Sequence, residues 1–192
     1  MIDELNADFD SDLDSDIDST KDPTKYFGKY RGTVINNIDP ENRGRIQAIV
    51  PDVQGLIPMT YAMPCLPAAG KGSGTFIVPE VGSGVWIEFE QGDPDYPIWT
   101  GCFWGATVEL PEMGIASVGP AHNMVFQTTG RNSITIFGTP GGGITLCAGP
   151  LLTPTSPRIM ITQAGIVLTN GQAEIIIAGP TVTINKGALV IT

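Results

Sequence analysis

From residue 133 onward the chain repeats one short pattern seven times, an apolar residue, any residue, then an apolar residue: Ile134/Ile136, Ile144/Leu146, Ile159/Ile161, Ile166/Leu168, Ile175/Ile177, Val182/Ile184 and Leu189/Ile191. A period of two places both apolar side chains of each run on the same face of a strand. Between the runs stand Gly138, the Gly141-Gly142-Gly143 trio, Gly149, Pro150, Pro154, Pro157, Gly165, Gly171, Gly179, Pro180 and Gly187. No stretch free of Gly and Pro exceeds seven residues there, short of the roughly 10 to 12 that a globular helix needs. The pattern predicts a ladder of short strands, with Met124-Val125-Phe126 as a rung ahead of it.

Strands this short cannot enclose their own apolar face, and each has two edges that invite pairing. From Gly114 to Thr192 the charges are Arg131, Arg158, Glu174 and Lys186, so little guards those edges. The expectation is a stacked β-prism built from several copies of the chain. Fourteen apolar side chains per copy, at ~1.5 to 3 kcal/mol each on full burial, need neighbours to cover them.

Between Tyr26 and Gly105 the strands lengthen. Residues 29–35 read as one strand, 36–44 as a turn rich in Asn, Asp and Pro, and 45–50 as the antiparallel return. Residues 75–78, 85–90 and 98–103 read as further strands, and about five in so short a segment fit a small barrel. The predicted organisation is an acidic tail over 1–25, a barrel over 26–105, a connector over 106–132 and a β-needle over 133–192.

The 192 residues suit one or two domains, and 42% hydrophobic content with 24 Gly and 16 Pro fits a loop-rich β protein. The formal charge of −10 is unevenly spread. Residues 1–22 hold nine acids against Lys21, or −8, which leaves −2 for the rest. Such a balance has no electrostatic footprint for nucleic acid and no basic face for anionic membranes, so protein partners are expected. The acidic segment has two readings: a solvated tail, or, because Leu5, Phe9, Leu13 and Ile17 recur at steps of four, a stripe for a partner's groove. A calcium loop opening at Asp8, Asp10 and Asp12 fails, because Leu13 stands where Gly is needed and Ser19 where the closing acid belongs. The acidic start lacks a basic n-region and an apolar h-region, which predicts synthesis in a bacterial cytoplasm without a signal peptide.

Candidate chemistry is thin. Cys65, Cys102 and Cys147 form no Cys-x-x-Cys pair and are expected to be small buried apolar residues. His122 is the one histidine, which excludes any site needing two. Gly138 to Gly143 lacks the Gly-Lys-Ser/Thr ending of a phosphate loop, and no Gly-x-Ser-x-Gly elbow occurs. Glu88 and Glu90 share a parity, as a glycosidase pair would, but surface solubility accounts for them. No catalytic, cofactor-binding or metal-ligating residue is expected, and no cofactor; the chain reads as a protein without enzymatic activity.

In Gly92-Asp93-Pro94-Asp95-Tyr96-Pro97 an Asp precedes Pro in a tight turn, where its carboxylate accepts backbone N–H bonds and the prolines fix φ. Trp86, Phe89, Trp99, Phe103 and Trp104 flank that turn at mixed parity, so some fill the barrel and others face a neighbouring subunit. The whole segment, Pro79-Glu80-Val81-Gly82 through Gly92-Asp93-Pro94-Asp95-Tyr96-Pro97 to Ile98-Trp99-Thr100-Gly101, resembles the oligonucleotide/oligosaccharide-type (OB) barrel of contractile-injection spikes, the phage baseplate assembly protein V and VgrG proteins. Gly32 to Val34, Asp39-Pro40 and Gly44-Arg45-Ile46 are similar to that family's opening hairpin.

The resemblance implies an all-β chain, an N-terminal OB-type five-stranded barrel followed by a C-terminal intertwined trimeric β-helix. It implies a homotrimeric central spike of a contractile injection baseplate, phage tail-like or type VI-like, that punctures a target membrane it meets transiently. A separate hub protein is implied at the N-terminal side, because about 25 residues precede the barrel. The family's tip iron, held by His-x-His, is not carried over, since the one histidine lies seventy residues before the end. A PAAR-repeat tip protein is expected to cover the last rung, Leu189 to Thr192. The assembled particle stays in the cell or is released. Two other functions compete: an OB module binding oligosaccharide or nucleic acid with a β-helical tail, and an enzyme with a carbohydrate-binding tail. Ten acids between Asp39 and Glu112 oppose the basic groove the first would need.

Overall fold

The computed structural model describes residues 24–116 and 121–191. The expected stripe of Leu5, Phe9, Leu13 and Ile17, part of the connector and Thr192 lie outside them. The chain divides into two compact units, one ending at Phe103 and the other beginning at Trp104.

The first unit is built from β1 (Tyr30–Asn36), β2 (Gln47–Ile49), the single-turn α1 (Pro51–Gln54), β3 (Met63–Pro64), a miniature hairpin of β4 (Ala69–Gly70) and β5 (Ser73–Gly74), β6 (Gly84–Phe89) and β7 (Pro97–Phe103). The large sheet runs β2-β1-β6-β7-β3, antiparallel except for the parallel β3–β7 pair. Its two ends meet. Ala62 donates to the Ile46 carbonyl at 2.7 Å, Ile46 donates back at 3.2 Å, and Met59 donates to Ala48 at 2.9 Å, which closes the sheet into a barrel.

Alternation decides what fills that barrel. Val85, Ile87 and Phe89 of β6 point inward with Val34 of β1, Ala48 of β2 and Trp99 of β7, joined by Ile46, Val50, Met59 and Ala62. Trp99 is the one core member with a polar atom to satisfy, and its indole N–H donates to the Gly44 carbonyl at 3.1 Å. Gly32 is needed where β1 crosses the core, because a Cβ there would press on Ile87, Val50 and the Ile49 carbonyl at 3.2 to 3.3 Å.

Residues 75–78, expected as a strand, are not one. Thr75 makes a single ladder-like bond to the Ala68 carbonyl, and Phe76 and Ile77 stay exposed. The run ends at Pro79 before it can pair further, and the two-residue β3 takes the closing position instead. Two of the three cysteines also depart from expectation. Cys147 is buried, whereas Cys65 and Cys102 are exposed. Cys65 directly follows β3, and Cys102 lies one residue from the end of β7, opposite Val85 of β6.

The turn between β1 and β2 is organised by one carboxylate. Asp39 accepts from the backbone N–H groups of Glu41 (2.9 Å), Arg43 (2.7 Å) and Arg45 (3.3 Å), and from Nε (3.1 Å) and Nη2 (2.7 Å) of the Arg45 side chain. The hydrogen bonds from Arg45, with those from the backbone, hold the Asp39 carboxyl well below the usual carboxylate range against the opposing effect of burial. A group with a lowered folded-state pKa stabilises fully above its unfolded value, about 3.9 for Asp, and progressively less below it. Acidification from about pH 5 to about pH 3 is therefore expected to lower the barrel's melting temperature. In Asp39→Asn the melting temperature should start lower and depend less on pH, as calorimetry of the full chain can check.

The second unit begins with α2 (Glu112–Ile115) and continues into β8 (Met124–Gln127), β9 (Ser133–Ile136), β10 (Ile144–Cys147), β11 (Arg158–Thr162), β12 (Gly165–Thr169), β13 (Glu174–Ala178), β14 (Thr181–Ile184) and β15 (Leu189–Ile191). These eight strands form one antiparallel sheet in sequence order. Every neighbour in the sheet is a neighbour in the chain, as antiparallel strands joined by turns and loops allow.

Candidate functional site: an apolar assembly face

The register of the meander turns the sequence triplets into two continuous rows. Met124, Ile136, Ile144, Ile161, Ile166, Ile177, Val182 and Ile191 stand opposite one another across all eight strands. Phe126, Ile134, Leu146, Ile159, Leu168, Ile175, Ile184 and Leu189 form the second row beside it. One face of the sheet is thus apolar at every position of both rows, and no charged residue stands in either.

In the single chain that face is uncovered. Met124 and Phe126 are each 59% exposed, Leu189 51% and Ile191 56%, and the central isoleucines and leucines remain partly open to water. Isolated exposed apolar residues are ordinary on a protein surface; an unbroken field of sixteen is the mark of an interface. Covering what is still exposed would contribute on the order of 10 to 20 kcal/mol per chain.

The opposite face is different in kind. Ser133, Thr135, Thr145 and Cys147 are buried there, and the Thr135 hydroxyl has no hydrogen-bond partner. Arg158 anchors the 148–157 loop by donating to the carbonyls of Ser156 (3.2 Å), Leu151 (3.3 Å) and Thr153 (2.5 Å). The loop reaches the 170–172 turn, where a side chain on Gly171 would strike Thr155. Burial pushes the Cys147 thiol up, with the Arg158 charge acting against it, so this is a shielded structural cysteine and not a reactive one.

The two outermost strands, β8 and β15, each pair on one side. An apolar face with two open edges, borne on a meander that supplies all its other backbone bonds internally, buries itself by meeting further copies of the same surface. Residues 123–190, all of this meander but its last residue, match the family described as the phage baseplate V C-terminal trimerisation domain. Residues 30–104 match the type VI secretion system/phage-baseplate injector OB domain. The chain belongs to the baseplate V family. It is a VgrG-like baseplate spike protein, all-β, with an N-terminal OB barrel and a C-terminal trimerisation domain. A stretch of 43 residues is also 42% identical to the type VI secretion system spike protein VgrG4b of Pseudomonas aeruginosa. That stretch is 22% of this chain and 5% of the relative, so the chain spans a small fraction of that protein's length.

In this baseplate V protein the sequence-singled residues are dispersed. His122 is exposed ahead of β8. Glu88 lies on β6 and Glu90 in the turn after it, and Glu88 is held by Lys29, whose Nζ donates to its carboxylate at 2.6 Å and to the Thr100 hydroxyl at 3.0 Å. Among the aromatic residues, Phe89 and Trp99 fill the barrel, Trp86 and Phe103 are half-buried, and Trp104 is 62% exposed. Asp93 accepts from the Asp95 backbone N–H at 3.1 Å, as expected of its turn. The families matched are structural parts of an injector.

Proposed function

We propose that three copies of this chain join through the apolar face into an intertwined β-helical needle and act as the central spike of a contractile injection baseplate. The observation that carries the reading is the pair of unbroken apolar rows, eight residues each, left open in the single chain. A needle held together by many short rungs fails only if they fail together, which suits an element that transmits force and breaches a membrane.

In the same proposal the N-terminal side seats on a separate hub protein. A tip protein of the PAAR-repeat kind covers the free edge of β15, where Leu189 and Ile191 stay exposed. Assembly takes place inside the producing bacterium, into a phage-tail-like or type VI-like particle. Light scattering of the purified chain tests the core of the proposal. Three chain masses are expected, stable in mild detergent, and a well-behaved monomer would overturn it.

A further inference from the structure

The outer face of the barrel carries a second feature, independent of the assembly face. The Arg31 guanidinium lies over the rings of Trp86, at 5.2 Å, and Phe103, at 5.0 Å, and those two rings are 5.0 Å apart. The backbone is shaped for this. The Phe103 ring packs against β6 where residue 84 is glycine; a Cβ there would meet the ring at 2.7 Å. Across from Trp86 on β7 stands Gly101, with open space where a side chain would be.

Arg31 is singular among the five arginines. Arg43 and Arg45 bind Glu41 and Asp39, Arg131 binds Glu112, and Arg158 donates to three carbonyls. Arg31 alone has neither a carboxylate nor a carbonyl partner among the described residues, although it is exposed. Lys29, close by on the chain, is already neutralised by Glu88. A guanidinium held against two rings inclined at 49° to each other has less rotamer freedom left to lose than a free one, so it is prepared for a carboxylate.

We propose that this shelf is a docking site for the chain's own acidic N-terminal segment, residues 1–22. Charge complementarity and reach support that occupant. The segment carries nine acids against one base, interleaved with Leu5, Phe9, Leu13 and Ile17, which suits a cation flanked by half-buried aromatic rings. Its point of departure is fixed: Lys25 pairs with Asp93, and Tyr26 donates to the Gly92 carbonyl at 2.8 Å, at the far end of β6. From there Trp86 is about 20 Å away at the rise of a strand, and some twenty residues of extended chain reach at most about 70 Å.

Hydrogen exchange of the full chain, read by mass spectrometry after millisecond labelling, tests this. At low ionic strength the amides of residues 5–18 are expected to exchange about tenfold slower than their intrinsic rate. About 0.5 M salt or Arg31→Ala should remove that protection, and Arg31→Lys should restore part of it. Intrinsic rates in the unsubstituted chain at low salt would overturn the proposal, as would protection indifferent to salt and to Arg31. Slow exchange around Trp86 and Phe103 beside a freely exchanging segment would overturn it too, since a second copy of the chain would then cover the shelf. The salt comparison on the unsubstituted chain decides the matter even if Arg31→Ala fails to fold.

Discussion

Ile177→Asp is expected to abolish assembly. Ile177 stands in the middle of one apolar row, between Ile166 and Val182, and is 39% exposed in the single chain. The substitution therefore costs the isolated sheet little, yet places one unpaired carboxylate per copy in the surface that the copies share. Several kcal/mol for each, on the order of 10 kcal/mol for three, exceeds what a few neighbouring contacts can offset. Light scattering should report monomers or aggregates. Thr183→Asp, one strand over and on the opposite face, should leave the chain mass in solution unchanged.

Gly143→Ala is the second large effect, and it acts through the backbone. Gly143 opens β10 with φ of +73°, and the place a Cβ would occupy is filled by the Ile161 carbonyl oxygen. The methyl group would both force a left-handed conformation on alanine and push β11 out of register. A loss of about 3 kcal/mol or more is expected in the second unit, with the barrel unaffected. Two separate transitions in calorimetry would show it, the barrel transition unshifted and the other displaced downward.

The meander was legible residue by residue because three signals coincide there: a period of two, glycine or proline in every gap, and almost no charge. Those signals place all seven expected rungs on strands, and they leave one register in which every rung presents its apolar pair to the same side. The barrel was less transparent. Two of its long strands, β6 and β7, could be read from their alternation and from the Gly92–Pro97 turn, but the strand that closes it has two residues, Met63–Pro64, with no periodicity to detect. The run 75–78 looked the better candidate by hydrophobicity and lost because Phe76 and Ile77 find no partner strand.

The two clusters that hold the barrel's surface chemistry were hidden for a related reason. Asp39 could be read as a turn residue, but its five hydrogen bonds depend on how residues 41–45 curl back on it. Arg31, Trp86 and Phe103 are far apart in sequence, and only the β1–β6–β7 register, with its bulge at Trp86/Ile87, brings them together. Pairing distant segments is information that a local pattern does not contain.

Because each rung of the meander is bonded to the rungs immediately before and after it in the chain, the architecture is extensible in the manner of a solenoid. Duplicating a hairpin would lengthen it by two rungs while preserving every other pairing. A single residue inserted inside a strand would instead move all that follows it on that strand to the other face of the sheet. Evolution can therefore alter the reach of such a device cheaply, provided that it works in whole hairpins.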